Sequence, residues 1–168
     1  MPLNMYDASV AVLQPMLGNL SGILNKAETH AAARKIDPAV LTSARLFPDM
    51  FALARQVQLT TDFAKGVGAR LAGIEVPKYE DTETTFPELR ARIAKTSAFL
   101  ASLKPAQFEG ADRREVTLTA GGKPRTFTGS DYLLRFAMPN FFFHMTTAYN
   151  ILRHSGLEIG KGDFMGQN

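Results

Sequence analysis

Four stretches of this chain repeat apolar residues every three to four positions, a spacing that paints one face of an α-helix and demands partners to cover it. Residues Leu3 to Ala27 carry Met5, Ala8, Val12, Met16, Leu20, Ile23, Leu24 and Ala27 at that spacing, and Pro15 within them predicts a kink or a break. A second long helix is expected from Pro48 to about Leu71, with Met50, Leu53, Val57, Ala64, Val67 and Leu71 inward and Gly73 as its stop. The third opens at Thr85-Phe-Pro-Glu88, a threonine cap with a glutamate three residues on, and carries Leu89, Ile93 and Leu100. The fourth runs through Tyr132, Leu133 and Phe136 to Ser155, capped by Ser130-Asp131 and stopped by Gly156.

Shorter elements fill the gaps. Asp37-Pro38 opens a short helix. Residues 74–86 hold Pro77 and the run Glu80-Asp-Thr-Glu-Thr-Thr85, a loop of about 12 residues, a length that often shapes the mouth of a site. Then the period changes: Glu115 to Ala120 alternates, Gly121-Gly122 turns, and Lys123 to Thr128 resumes, which reads as a β-hairpin. A glycine-rich tail with one aromatic anchor, Phe164, closes the chain. The expected fold is all-α: one domain over 1–168, a four-helix bundle with a long first crossover and a small β-hairpin inserted before the last helix.

Composition narrows the function classes. With 45% hydrophobic and 21% charged residues the 168-residue chain has ordinary globular usage. The net charge of +3 is spread out, without the basic stripe and interleaved aromatics of a nucleic-acid binder. No apolar run reaches the ~18 residues that span a bilayer, and the first residues lack a signal-peptide pattern. Cysteine is absent, which removes disulfides, thiol nucleophiles and thiolate metal sites. The expectation is a cytoplasmic protein with neither nucleic-acid nor membrane partners.

The segment Pro139-Asn-Phe-Phe-Phe-His144 carries the chemistry. Steps of three, four and seven place Phe136, Asn140, His144, Ile151 and Ser155 along one side of the fourth helix. His144 is the best candidate for a catalytic residue, as a general base or a ligand; the other reading is a core histidine bonded to a neighbouring helix. Asn140 reads as a pocket residue or as an amide that satisfies carbonyls freed by Pro139. On the second helix Gln56 and Thr60 share a face, and Gln56 with Asn140 and His144 would form a buried polar cluster. Asp62 is expected at the surface or paired with Lys65 or Arg55. His30 is expected to be exposed beyond the first helix, and His154 to sit in a last turn. Three consecutive residues on a helix sweep roughly 200°, so Phe141-Phe142-Phe143 cannot all face one core, and a homodimer is one way to cover the outlier.

Across essentially its whole length the chain resembles DUF1993, a family of unknown function in the DinB/YfiT-like superfamily of proposed metalloenzymes. The resemblance is carried by Met5-Tyr-Asp-Ala-Ser-Val10, Leu17-Gly-Asn-Leu20, Asp49 to Gln58, Asp62-Phe-Ala-Lys65 and Arg70-Leu-Ala-Gly73. Pro139 to His144, Ile151 to Gly156 and Gly160 to Phe164 complete it. It implies a DinB-like bundle, often dimeric, whose wider superfamily binds zinc or nickel through three histidines. One comes from the second helix and two from a His-x-x-x-His pair on the fourth, and some relatives use the metal in thiol transfer.

Carried over by register, His144 falls on the later histidine of the pair, Asn140 on the earlier one, and the second-helix position falls at Arg55 to Gln56. One ligand position of three is kept. The expectation is therefore a bundle with no metal cofactor, a pocket for an unknown small molecule lined by Gln56, Thr60, Asn140 and His144, and a ligand-binding or structural, stress-related role. The alternative is a transferase or hydrolase, thiol-transferase-like, using His144 with or without weakly held zinc or nickel.

Overall fold

The computed structural model describes residues 4–167. Four long helices form the bundle: α1 (Val10–Arg34), α3 (Leu53–Ala72), α4 (Phe86–Ser102) and α6 (Met138–His154). Helix α3 packs most extensively on α6 and also on α4, and α4 packs on α1, so the core lies along the inward faces of all four. Leu13, Leu17, Leu20, Val57, Val67, Leu71, Leu89, Ile93, Phe141 and Ile151 fill it.

The first helix differs from expectation at both ends. Its expected start, Leu3, lies outside the described residues; Met5 and Ala8 pack on the core from the turn that precedes Val10. The inward stripe is Val10, Leu13, Leu17, Leu20 and Ile23, while Val12 stands 37% exposed. Pro15 does not break the helix into two. It is an exposed residue near the helix start, so the carbonyl left without its N–H is on the solvated side. The helix continues to Arg34, which puts His30 on it, half-buried rather than exposed. Lys35 ends it in the left-handed region at φ 54°.

Helix α2 (Pro38–Thr42) is capped by Asp37, whose side chain accepts the Ala39 N–H at 2.9 Å. Helix α3 starts at Leu53 instead of Pro48, and Met50 lies in the turn before it. Gly73, at φ 73°, stops it as the sequence implies. Thr85 and Glu88 form the expected capping box on α4. After a 3₁₀ turn (Pro105–Phe108), β1 (Glu115–Ala120) and β2 (Lys123–Thr128) pair antiparallel with Ala120 opposite Lys123. That register leaves Gly121 and Gly122 as the whole turn, at φ 60° and 75°, the left-handed pair that a type I′ turn requires.

The last helix is more irregular than its pattern suggests. It begins as one turn, α5 (Gly129–Asp131), widens to a π-helical stretch (Tyr132–Ala137) and settles into α6. Thr128 caps it, accepting the Asp131 N–H at 3.3 Å, in place of Ser130 or Asp131. The widened turns abut Pro139, which has no N–H to close a regular turn behind it. The tail folds into α7 (Lys161–Met165), held on α1 by the Asn19 amide donating to the Phe164 carbonyl at 3.0 Å and by a Lys26–Asp163 ion pair. Among the described residues no helix is long and apolar enough to cross a membrane.

Candidate functional site

His144 is buried on α6, and its Nδ1 lies 2.8 Å from Gln56 Oε1 on α3. The Gln56 amide nitrogen donates to the Phe51 carbonyl at 3.2 Å, which turns Oε1 toward the imidazole. An acceptor at that position fixes the proton on Nδ1 and leaves the lone pair on Nε2, which has no protein partner and reaches solvent. Phe63 stacks on the ring at 5.7 Å and 16°, and Phe143 meets it edge-on at 5.3 Å. Burial holds the imidazole below its ordinary pKa of 6.5, and the positive Arg55 lowers it further. At neutral pH His144 is an uncharged ring with one basic nitrogen.

The other two residues expected beside it are turned elsewhere. Thr60 is buried, but its hydroxyl donates to the Gln56 carbonyl at 2.8 Å, within its own helix. Asn140 donates to the Phe136 carbonyl at 2.7 Å, a bond within its own helix and one residue past the Arg135 carbonyl that Pro139 leaves without its N–H. The expected three-residue polar cluster is thus a pair, Gln56 with His144. Of the phenylalanine run, Phe141 is buried, Phe142 half-buried and Phe143 57% exposed, so Phe143 is the outward member.

Asn140 does line a cavity, an open one of about 570 Å³ between α3, the π-widened turns, α6 and the hairpin. Phe63 and Phe136 form its wall and Leu59 and Leu118 extend it, with Arg70, Arg125 and Asp62 at its edge. Rings run continuously from the hairpin to the histidine: Phe127 to Phe136 at 5.4 Å, Phe136 to Phe63 at 5.9 Å, then Phe63 to His144. His144 therefore sits one ring behind the cavity wall. The sequence pattern did not flag the hairpin as part of a site, although Arg125 and Phe127 alternate onto one face of β2 and Phe63 and Arg70 are one heptad apart on α3.

A second polar centre also escaped the sequence pattern. Arg92 on α4 is buried, and its guanidinium meets Asp62 at 2.7 Å, Asp81 at 3.0 Å, Glu83 at 3.1 Å and the Thr61 hydroxyl at 2.7 Å. Asp62 also pairs with Lys65 at 2.7 Å, as expected, and Asp81 with Arg55 at 2.6 Å. Burial pulls the Asp81 carboxyl upward, but the bond to Arg55 and the charges of Arg55 and Arg92 outweigh it and hold it below the usual range. Tyr79 lies on this network with Lys65, Lys95 and Arg92 at 4.0, 4.2 and 5.1 Å from its ring centre. The acidic loop is thereby strapped across α3 and α4.

Zinc or nickel in this fold needs three or four converging donors of imidazole or carboxylate type. Here one imidazole nitrogen is open, the Gln56 and Asn140 amides are engaged, and among the described residues no group of three or more histidines and carboxylates is placed to hold a metal ion, the three carboxylates around Arg92 being spent on its guanidinium. These residues do not fit either ion.

The family model described as a domain of unknown function, DUF1993, matches residues 5–165. Among solved structures, the crystal structure of a DinB family member protein from Shewanella denitrificans is similar at 43% identity and a TM-score of 0.88, over 96% of this chain and 91% of that one. No curated protein matches the chain.

Proposed function

The chain belongs to the DUF1993 family, and from that premise we propose that it is a DinB-like bundle that binds a small molecule without a bound transition metal. The cavity above Phe63 and Phe136 carries this reading, because it combines a preformed aromatic wall with a few polar groups in the manner of small-molecule sites. The engaged amides of Gln56 and Asn140 support the metal-free half of it. Elemental analysis of purified protein together with a ligand screen read by melting temperature tests both halves. A stoichiometric metal that survives dialysis would sink the first, and a screen in which no bound compound perturbs the cavity residues would sink the second.

The state of His144 favours a second reading, an enzyme in which this imidazole acts as general base. Its tautomer is fixed by Gln56 and its Nε2 is open, the arrangement a proton acceptor needs. Under that reading His144→Ala removes a measurable activity while the fold persists; a large loss of stability with no activity to lose favours the structural role. Homodimerisation is part of the proposal, motivated by the exposed ring of Phe143, and light scattering on the wild type and on Phe143→Ser tests it. A cytoplasmic setting is also proposed, motivated by a cysteine-free sequence that has no call on an oxidising compartment, and imaging of a fluorescent fusion checks it.

A further inference from the structure

Two arginines at the cavity edge lack acid partners. Arg70 on α3 donates to the Tyr132 hydroxyl at 3.1 Å, and Arg125 on β2 lies over the Phe127 and Phe136 rings at 5.2 and 5.7 Å. Neither is ion-paired among the described residues, although Asp62 lines the same cavity. The Asp62 carboxylate is taken by Lys65 and Arg92, both at 2.7 Å.

Elsewhere on the bundle some arginines are neutralised by acids. Arg92 has three carboxylates, Arg55 has Asp81 and Arg90 has Glu28. Arg70 and Arg125 thus stand beside the aromatic wall of Phe63 and Phe136 with no carboxylate among the described residues to neutralise them. A guanidinium presents a planar fork of donors that suits carboxylate and phosphate oxygens. Arg70 uses one donor on Tyr132 and keeps the others.

We propose that this cavity binds a small organic anion, its carboxylate or phosphate head between Arg70 and Arg125 and its apolar body against Phe63 and Phe136. The π-widened turns bring Phe136 into the wall, and the hairpin supplies Leu118 and Arg125, so the inserted strands complete the site. The inference rests on the small-molecule reading and adds the chemical class.

The test is an NMR titration of the full chain with three probes of similar shape: 4-phenylbutyrate, 3-phenylpropyl phosphate and the neutral 4-phenylbutyramide. The expected result is shifts at residues 118–121 and 136–140, with at least one anion binding roughly tenfold or more tighter than the amide. The tighter anion tells carboxylate from phosphate. Arg70→Met and Arg125→Met should each weaken the anion roughly tenfold and leave the amide unchanged. Arg125 is exposed on its strand, so Arg125→Met remains informative even where Arg70→Met loosens Tyr132. Equal binding of amide and anions, indifferent to both substitutions, overturns the anion class and leaves the small-molecule reading standing. Absence of shifts at the cavity with all three probes at millimolar concentration overturns both.

Discussion

His144 Nδ1 bonds Gln56 Oε1 at 2.8 Å across 88 positions of sequence, tying α6 to α3 at the most extensive contact in the bundle. Both groups are buried, so the bond matters chiefly through what its loss would expose. Gln56→Leu leaves the Nδ1–H and the Phe51 carbonyl without partners, at an expected cost of about 1–3 kcal/mol. His144→Leu added to it removes the orphaned donor, so the double variant should lose less than the sum of the singles, by about 1 kcal/mol. Urea denaturation of the four proteins measures this, and strict additivity would show that the bond carries no stability.

The same imidazole sets a pH dependence. Its folded pKa lies below the ordinary 6.5, so between the two values the unfolded chain binds a proton that the folded chain does not. This contribution leaves stability undiminished above 6.5 and lowers it as pH falls from 6.5 to the folded value. In His144→Gln, whose amide can still donate to Gln56, that part of the slope should vanish. An NMR titration of His144 with a midpoint at or above 6.5 contradicts the prediction.

Much of this was legible in the sequence where the cause is local. Helical periodicity, the Asp37 and Thr85 caps, the Gly121-Gly122 turn and the Gly73 stop each act within a few residues, and each is where the pattern puts it. The helix starts at Val10 and Leu53 were misplaced because apolar residues just outside a helix, such as Met5, pack on the same core. His144 and Gln56 could be paired by helix face, whereas Asn140 and Thr60 share those faces and spend their polar groups on their own backbone. The Arg92 network joins α4 to Asp81 and Glu83 in a loop that has no period, and the cavity needs the hairpin to fold back over α3. Neither leaves a periodic trace.

That network predicts a conditional strap. Arg92→Met leaves Asp62, Asp81 and Glu83 facing one another with their shared cation gone, and removing one partner of a buried ionic group costs about 3 kcal/mol. The loss should centre on residues 74–84, which hold few buried apolar side chains of their own. Limited proteolysis and amide exchange should find that segment opened first, ahead of α3. Uniform loss of protection along the chain would instead mean that Arg92 supports the core and not the strap.

Gly129 is where the hairpin hands over to the last helix, and it tolerates no side chain. A Cβ there would sit 1.7 Å from the Ala111 carbonyl oxygen. The neighbouring backbone cannot readily yield, because Ser130 N–H donates to the Asp112 carbonyl at 3.0 Å and Thr128 caps the same turn. Gly129→Ala should therefore destabilise by about 2–4 kcal/mol through a forced backbone shift. Gly22, exposed on α1, meets nothing within 4 Å of an added Cβ. Gly22→Ala should stabilise by about 0.5–1 kcal/mol, since alanine gives up less backbone freedom in a helix. Thermal unfolding of the two variants must move in opposite directions; a neutral Gly129→Ala would mean that the hairpin-to-helix junction is looser than the Ala111 contact requires.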